Sequence, residues 1–222
     1  MATTITLIGD SGQGKTYSLR NIDPKKLFII NCDQKGLPFR GWRKNFSVEN
    51  KNYYRTSDFN QIINSIKAIN KQPHIKVIAI DTISSMMSDK EMEDQSKKGF
   101  DKWNDYAKEV YDLISFCNDS SLRDDLFIVL SAHPEYYDKN GETHARLKTG
   151  GKKLTKLNVE GKLLYTFYTK VSHSPEGNTY TFTTQTDGYN TARSPEGVLP
   201  YEVDNDLDTI IKLIEDFENG NS

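Results

Sequence analysis

Residues 5–19 read ITLIGDSGQGKTYSL, and the rest of the chain takes its meaning from them. Thr4 to Ile8 is a short β-branched, apolar run ending at Gly9, the pattern of a buried strand. Gly9 to Thr16 then fits G-x-x-x-x-G-K-[ST], with Gly9, Gly14, Lys15 and Thr16 in the fixed places and an extra Gly12 between them. Tyr17 to Arg20 carries no breaker before Asn21 and Pro24, so the loop is expected to open a helix. Glycines let successive backbone N–H groups turn inward and form an anion nest at a helix N-terminus. In this pattern Lys15 reaches the β- and γ-phosphates as a point charge, and the Thr16 hydroxyl coordinates Mg²⁺. The candidate ATP-binding set is Gly9, Asp10, Ser11, Gly12, Gln13, Gly14, Lys15, Thr16 and Tyr17. An ordinary Gly-rich turn is the competing reading, and the flanking strand and helix count against it.

A chain of 222 residues suits one domain over 1–222, with a tail fraying from about 218. Hydrophobic content of 36% is low but sufficient for a core at this length. Lys and Arg total 29 against 31 Asp and Glu, a net charge of −2, so a globally basic surface for nucleic acid is excluded and any such binding needs a local patch. Cys32 and Cys117 sit in apolar runs far apart, which reads as two buried thiols rather than a disulfide or metal pair. No apolar run approaches the ~18 residues of a membrane span, and the N-terminus enters a strand directly. The expectation is a soluble cytoplasmic protein.

Strand-like runs alternate with helical ones along the chain. Leu27–Asn31, Tyr53–Arg55, Lys76–Asp81 and Leu126–Ser131 read as strands. Asp58 caps a helix with Phe59, Ile62, Ile63, Ile66 and Ile69 inward, and a second helix runs from about Lys102 to Cys117. Gln34 to Phe46 and Met86 to Phe100 read as loops, as does the polar, basic stretch Pro134 to Leu154. Lys162 to Ser172 and Thr179 to Thr184 form a late hairpin at the sheet edge, and Asn205 or Asp206 caps a last helix. The fold class is α/β: a mainly parallel central sheet flanked by helices, with a C-terminal antiparallel hairpin. In such sheets ligands bind outside the carboxyl ends of the strands, and Gly9, Asp33, Asp81 and His133 all fall there.

Asp81 ends a buried strand, as expected for a carboxylate that holds Mg²⁺ together with Thr16, and Thr82 beside it is placed to help by hydrogen bonding. Asp33 is the candidate to orient or deprotonate the attacking water, with a turn cap as its alternative. His133 is a candidate γ-phosphate sensor, or else a structural hydrogen bonder beside Pro134. With Lys15 these are the candidate catalytic residues.

The ordered segments GDSGQGKT, IINCDQKG, VIAIDTISS, IVLSAH and LKTGGKKL resemble the motifs of RecA-like P-loop NTPases. They are similar in particular to the phage-encoded RecA-like group that includes Sak-type single-strand annealing proteins. FTTQTDGYNTARSPEG and VDNDLDTIIKLI resemble that group's C-terminal part, so the likeness spans nearly the whole chain. It implies an ATPase that binds single-stranded DNA and promotes annealing or recombination, as a homo-oligomer and with a single-strand-binding protein as a further partner. By position Asp33 matches the catalytic carboxylate, which is Glu in the larger recombinases, and His133 matches the residue coupling γ-phosphate to the next DNA loop. The two DNA loops would be Met86–Phe100, with Lys97 and Lys98, and Pro134–Lys148, with Tyr136, Tyr137, Arg146 and Lys148. Lys152 and Lys153 match lysines that reach the ATP of an adjacent subunit. The chain starts at the P-loop strand, so filament formation does not follow from the likeness.

Read from the residues alone, His144 to Lys162 carries six Lys and Arg against the single acid Glu160, with Tyr136 and Tyr137 nearby. That is a basic, aromatic segment suited to a phosphate backbone and to base stacking, or simply a solvated loop. The other reading of the chain is a nucleotide-dependent regulatory or assembly module that binds a protein partner with little turnover.

Overall fold

Alternation along the central strands shows how the core is divided. In the computed structural model, which describes residues 1–93, 101–148 and 159–220, β2 (Leu27–Asn31) sends Leu27 and Ile29 to one face and Ile30 to the other. β4 (Val77–Asp81) and β5 (Phe127–Ala132) repeat this, with Val77, Ala79, Phe127 and Val129 on the first face and Ile78, Ile80, Ile128 and Leu130 on the second. Both faces are covered, so these strands read as continuous apolar runs rather than alternating polar ones.

The sheet has eight strands in the order β10-β9-β8-β1-β5-β4-β2-β3. From β3 (Tyr53–Arg55) through β1 (Thr3–Ile8) to β8 (Tyr165–Ser174) every neighbouring pair is parallel. β9 (Gly177–Thr183) folds back antiparallel on β8, and β10 (Glu202–Asp204) pairs antiparallel with β9. The late hairpin is therefore present, but β10 rather than the hairpin forms that edge of the sheet. A three-residue strand this short lacked a readable alternation.

One face is packed by α2 (Phe59–Ile69), α3 (Ile83–Glu93) and α4 (Asp101–Cys117), with Ile62, Ile66, Met86, Leu113 and Ile114 in the core. The other is packed by α5 (Leu207–Glu218) through Leu207, Ile210 and Ile214. Asp58 caps α2 by accepting from the Gln61 N–H at 2.7 Å, and Asp206 caps α5 by accepting from the Asp208 N–H at 3.1 Å. Cys32 and Cys117 are free and buried.

One expected helix and three expected loops are ordered differently. The P-loop opens only a four-residue 3-10 turn, Thr16–Leu19, because the chain must turn at Ile22 and Pro24 to reach β2. Met86–Glu93 lies in α3, whose amphipathic pattern is weak because the helix buries Ile83, Met86 and Met87 near its start and is polar beyond. Pro134–Leu147 is a separate two-stranded antiparallel sheet of β6 (Pro134–Lys139) and β7 (Glu142–Leu147), turned by Asn140 and Gly141, both at positive φ. A short helix α1 (Trp42–Asn45) also interrupts the Gln34–Phe46 loop. Among the described residues no helix is long and apolar enough to cross a membrane.

Ile66 is fully buried between α2 and the sheet. Ile66→Ala should cost about 2–5 kcal/mol, read as a lower midpoint in urea unfolding; a loss below about 1 kcal/mol would mean that α2 is not seated on this core.

Candidate nucleotide-binding site

β1 delivers the chain to Gly9, whose N–H is still bonded to the Ala132 carbonyl of β5 at 3.2 Å. The glycines here do different work. Gly12 and Gly14 adopt φ of +81° and +92°, the left-handed region that disfavours side chains. A Cβ on Gly14 would also meet the Tyr180 ring at 2.9 Å, and one on Gly9 would meet Thr169 Oγ1 at 1.7 Å. Gly9 is thus required by the close approach of β8 rather than by backbone conformation. Gln13 closes the loop: its Oε1 accepts from the Asp10 N–H at 2.9 Å and from the Thr169 hydroxyl at 3.0 Å.

Lys15 folds over this loop. Its Nζ donates to the Gly9 and Asp10 carbonyls at 2.6 and 2.9 Å. Burial lowers its pKa, with the Asp81 carboxylate opposing that shift. Thr16 Oγ1 donates to Asp81 Oδ2 at 2.6 Å, across 65 residues of sequence. Asp81 is 2% exposed, and its Oδ1 is buried with no hydrogen-bond partner. Burial raises its pKa against the pull of the Thr16 hydrogen bond.

Asp33, just past β2, is held from two sides. Its Oδ1 accepts from the Thr82 hydroxyl at 2.9 Å and from the Ser85 hydroxyl, and its Oδ2 is ion-paired with Lys35. Burial works against its charge, but the bonds from Lys35, Ser85 and Thr82 outweigh it and hold its carboxyl below the usual value. His133 follows β5: its N–H donates to Ser84 Oγ at 2.8 Å, and its ring Nδ1 lies 3.2 Å from the Gly9 carbonyl. A carbonyl only accepts, so this bond needs the proton on Nδ1. Burial, then the Lys15 charge, lower the His133 pKa and favour the neutral ring.

Of these groups Lys15, Thr16 and His133 border one cavity of about 470 Å³, with Lys35 and Thr82, the partners of Asp33, and with Tyr180 in the same wall. Tyr17 meets Tyr180 ring to ring at 5.8 Å, and the Arg20 guanidinium lies 4.2 Å from the Tyr17 centroid. The structure therefore brings Lys15, Thr16, Asp33, Asp81 and His133 to one sheet edge. Lys35, Ser85 and Tyr180 were not singled out from sequence. Lys35 alone had a local signal, being two residues beyond an acid at a strand end.

The donor set fits Mg²⁺ with a nucleotide. A hydroxyl and a carboxylate are hard oxygen ligands, and Asp81 Oδ1 is an unused one. No group of three His, Cys, Asp or Glu that could hold a metal occurs among the described residues, so an ion here would depend on water and phosphate oxygens, as Mg²⁺ commonly does.

The residues expected to meet DNA are placed as follows. The Tyr136 phenol donates to Asp10 Oδ2 at 2.8 Å, which with burial pushes its pKa up to about 12. Tyr137 stacks on His144 at 5.6 Å with Arg146 4.6 Å from its ring, and Arg146 Nε also pairs with Glu135 at 3.0 Å. The Lys148 N–H donates to the His133 carbonyl at 3.0 Å. Lys97, Lys98, Lys152 and Lys153 lie outside the described residues.

Gly9→Ala should destabilise the protein by about 1–3 kcal/mol through overpacking, and Thr169→Ala should recover part of that loss. Strictly additive effects in the double variant, read by thermal unfolding, would contradict the close approach of β8 to the P-loop.

The comparisons with known proteins bear on the family and the fold. No curated protein matches the chain. Among solved structures it is similar to the flagellar accessory protein FlaH from Methanocaldococcus jannaschii, at 13% identity and a TM-score of 0.51, covering 90% of this chain and 83% of that one. A KaiC-like protein from Pyrococcus horikoshii aligns at 12% identity and a TM-score of 0.46, over 81% and 76% of the two chains. The likeness to FlaH is one of fold. A family model described as an AAA domain matches residues 1–195, so the chain belongs to that family, AAA_24, as a RecA-like P-loop ATPase domain.

Proposed function

We propose that the protein binds and hydrolyses ATP with Mg²⁺ and uses that cycle to control binding of single-stranded DNA, in phage-type annealing or recombination. The observation that supports the coupling is the double tether between the P-loop and the β6–β7 hairpin. Tyr136 reaches Asp10 from the hairpin, and His133, one residue before it, reaches the Gly9 carbonyl. A shift of the P-loop backbone on filling would be felt at both bonds. Arg146 and Tyr137 on the hairpin, with Lys148 just past its end, then supply cationic and aromatic groups. The annealing role rests on the sequence resemblance to the phage group.

In this reading Thr16 and Asp81 hold the metal, whose chemistry is to neutralise charge on the β- and γ-phosphates. The Lys15 ammonium leaves its two carbonyl partners and donates to the phosphate oxygens. Asp33, oriented by Thr82 and Ser85, accepts the proton of the attacking water. Homo-oligomers and a single-strand-binding protein are the partners this function would call for.

A second reading, a nucleotide-dependent regulatory or assembly module with little turnover, is favoured by the Lys35–Asp33 ion pair, which engages the base. The two separate on one experiment: binding of a labelled oligonucleotide with and without ATP over a salt series, with turnover followed in parallel. The DNA reading expects ATP-dependent binding that weakens with salt, and DNA-stimulated hydrolysis. Absence of DNA binding even at low salt would overturn it and leave the module reading.

Lys15→Ala should weaken ATP binding by tenfold or more, since hydrogen bonds to charged groups contribute about 1.5–3 kcal/mol each; titration calorimetry showing unchanged affinity would count against the site. Asp33→Asn should spare ATP binding and slow turnover, and wild-type turnover in that variant would clear Asp33 of the base role.

A further inference from the structure

Among the described residues Lys35 is the one lysine besides Lys15 that borders the 470 Å³ cavity, and its part there is unassigned by the P-loop pattern. It stands two residues beyond Asp33, where β2 gives way to the loop that carries Gly36 and Pro38 along the same wall. Its side chain is 59% exposed, while the Asp33 carboxylate it pairs with is 9% exposed. The two ends of this ion pair are therefore unequal: Asp33 is fixed from behind by Thr82 and Ser85, and Lys35 is free to move on the cavity side. Lys35 also acts electrostatically on Lys15 and Asp81, so it belongs to one charged cluster with Lys15, Asp33 and Asp81.

A triphosphate brings more negative charge to this cluster than a diphosphate does, and brings it at the terminal group. Lys15 lies at the P-loop end of the cavity, bonded to Gly9 and Asp10. Lys35 borders the same cavity from the loop that follows β2. Resting on the nucleotide-site reading above, we propose that Lys35 is a triphosphate sensor that exchanges partners. With the cavity empty or holding a diphosphate it pairs with Asp33; a terminal phosphate draws its ammonium away and leaves Asp33, still oriented by Thr82 and Ser85, free to take a proton from water. The exchange needs only rotations of an exposed lysine side chain, because Asp33 retains its other bonds. It also reconciles an occupied base with a hydrolytic site: turnover is held off until the γ-phosphate is in place.

The test compares affinities rather than activity. Titration calorimetry with Mg²⁺ and either a non-hydrolysable ATP analogue or ADP gives the ratio of the two affinities for each variant. Lys35→Ala should lower the preference for the triphosphate by about tenfold, the scale of one charge-assisted hydrogen bond, and Lys35→Arg should retain most of it. Asp33→Asn removes the competing partner, so it should raise the preference above that of the wild type. A purely structural ion pair would shift both affinities together, and unchanged ratios in Lys35→Ala and Asp33→Asn overturn the proposal. Failure of the wild-type chain to bind either nucleotide overturns instead the nucleotide-site reading on which it rests, so the two failures are distinguishable.

Discussion

The hydrogen bond from Thr16 to Asp81 is the constraint around which the structure is arranged. It joins the end of the P-loop to the end of β4, across a sheet in which β5 stands between β1 and β4. That contact exists only if β1, β5 and β4 are parallel and in register, so that their carboxyl ends meet along one edge. Apolar packing on both faces enforces that register. A slip of one residue would turn Ile5 and Leu7, or Ile78 and Ile80, onto the wrong face.

A second consequence is the gathering of buried charged groups at this edge. Asp81 leaves one buried oxygen unpartnered, Lys15 is nearly buried on two carbonyls, and Asp33 is ion-paired. Burying a carboxylate without full hydrogen bonding costs free energy, and the cavity beside it is where a cation and phosphates would offset that cost.

Much of this was legible in the sequence because its signals were local. The P-loop spacing, the apolar runs ending in Asp81 and His133, the isoleucine period of α2 and the Asp58 and Asp206 caps each sit within one short window. What escaped depended on contacts between windows. Gly9 is needed because Thr169 of β8 approaches it, and nothing near residue 9 says so. Ser85 bonds Asp33 across 52 residues, and Tyr136 bonds Asp10 across 126. The β6–β7 hairpin was masked by its polarity: standing outside the main sheet, it lacks the buried, alternating face by which strands are recognised. Lys35 has only its place two residues beyond a strand-end acid as a local mark; its role follows from the fixed carboxylate it meets.

The central claim is that Thr16 and Asp81 are brought together to hold a metal ion with a triphosphate. A crystal structure of the protein with Mg²⁺ and a non-hydrolysable ATP analogue tests it most directly. The account predicts phosphates against Lys15 in the cavity and the direct Thr16–Asp81 hydrogen bond replaced by a shared metal site. An empty cavity at saturating nucleotide, with that bond intact, would contradict it.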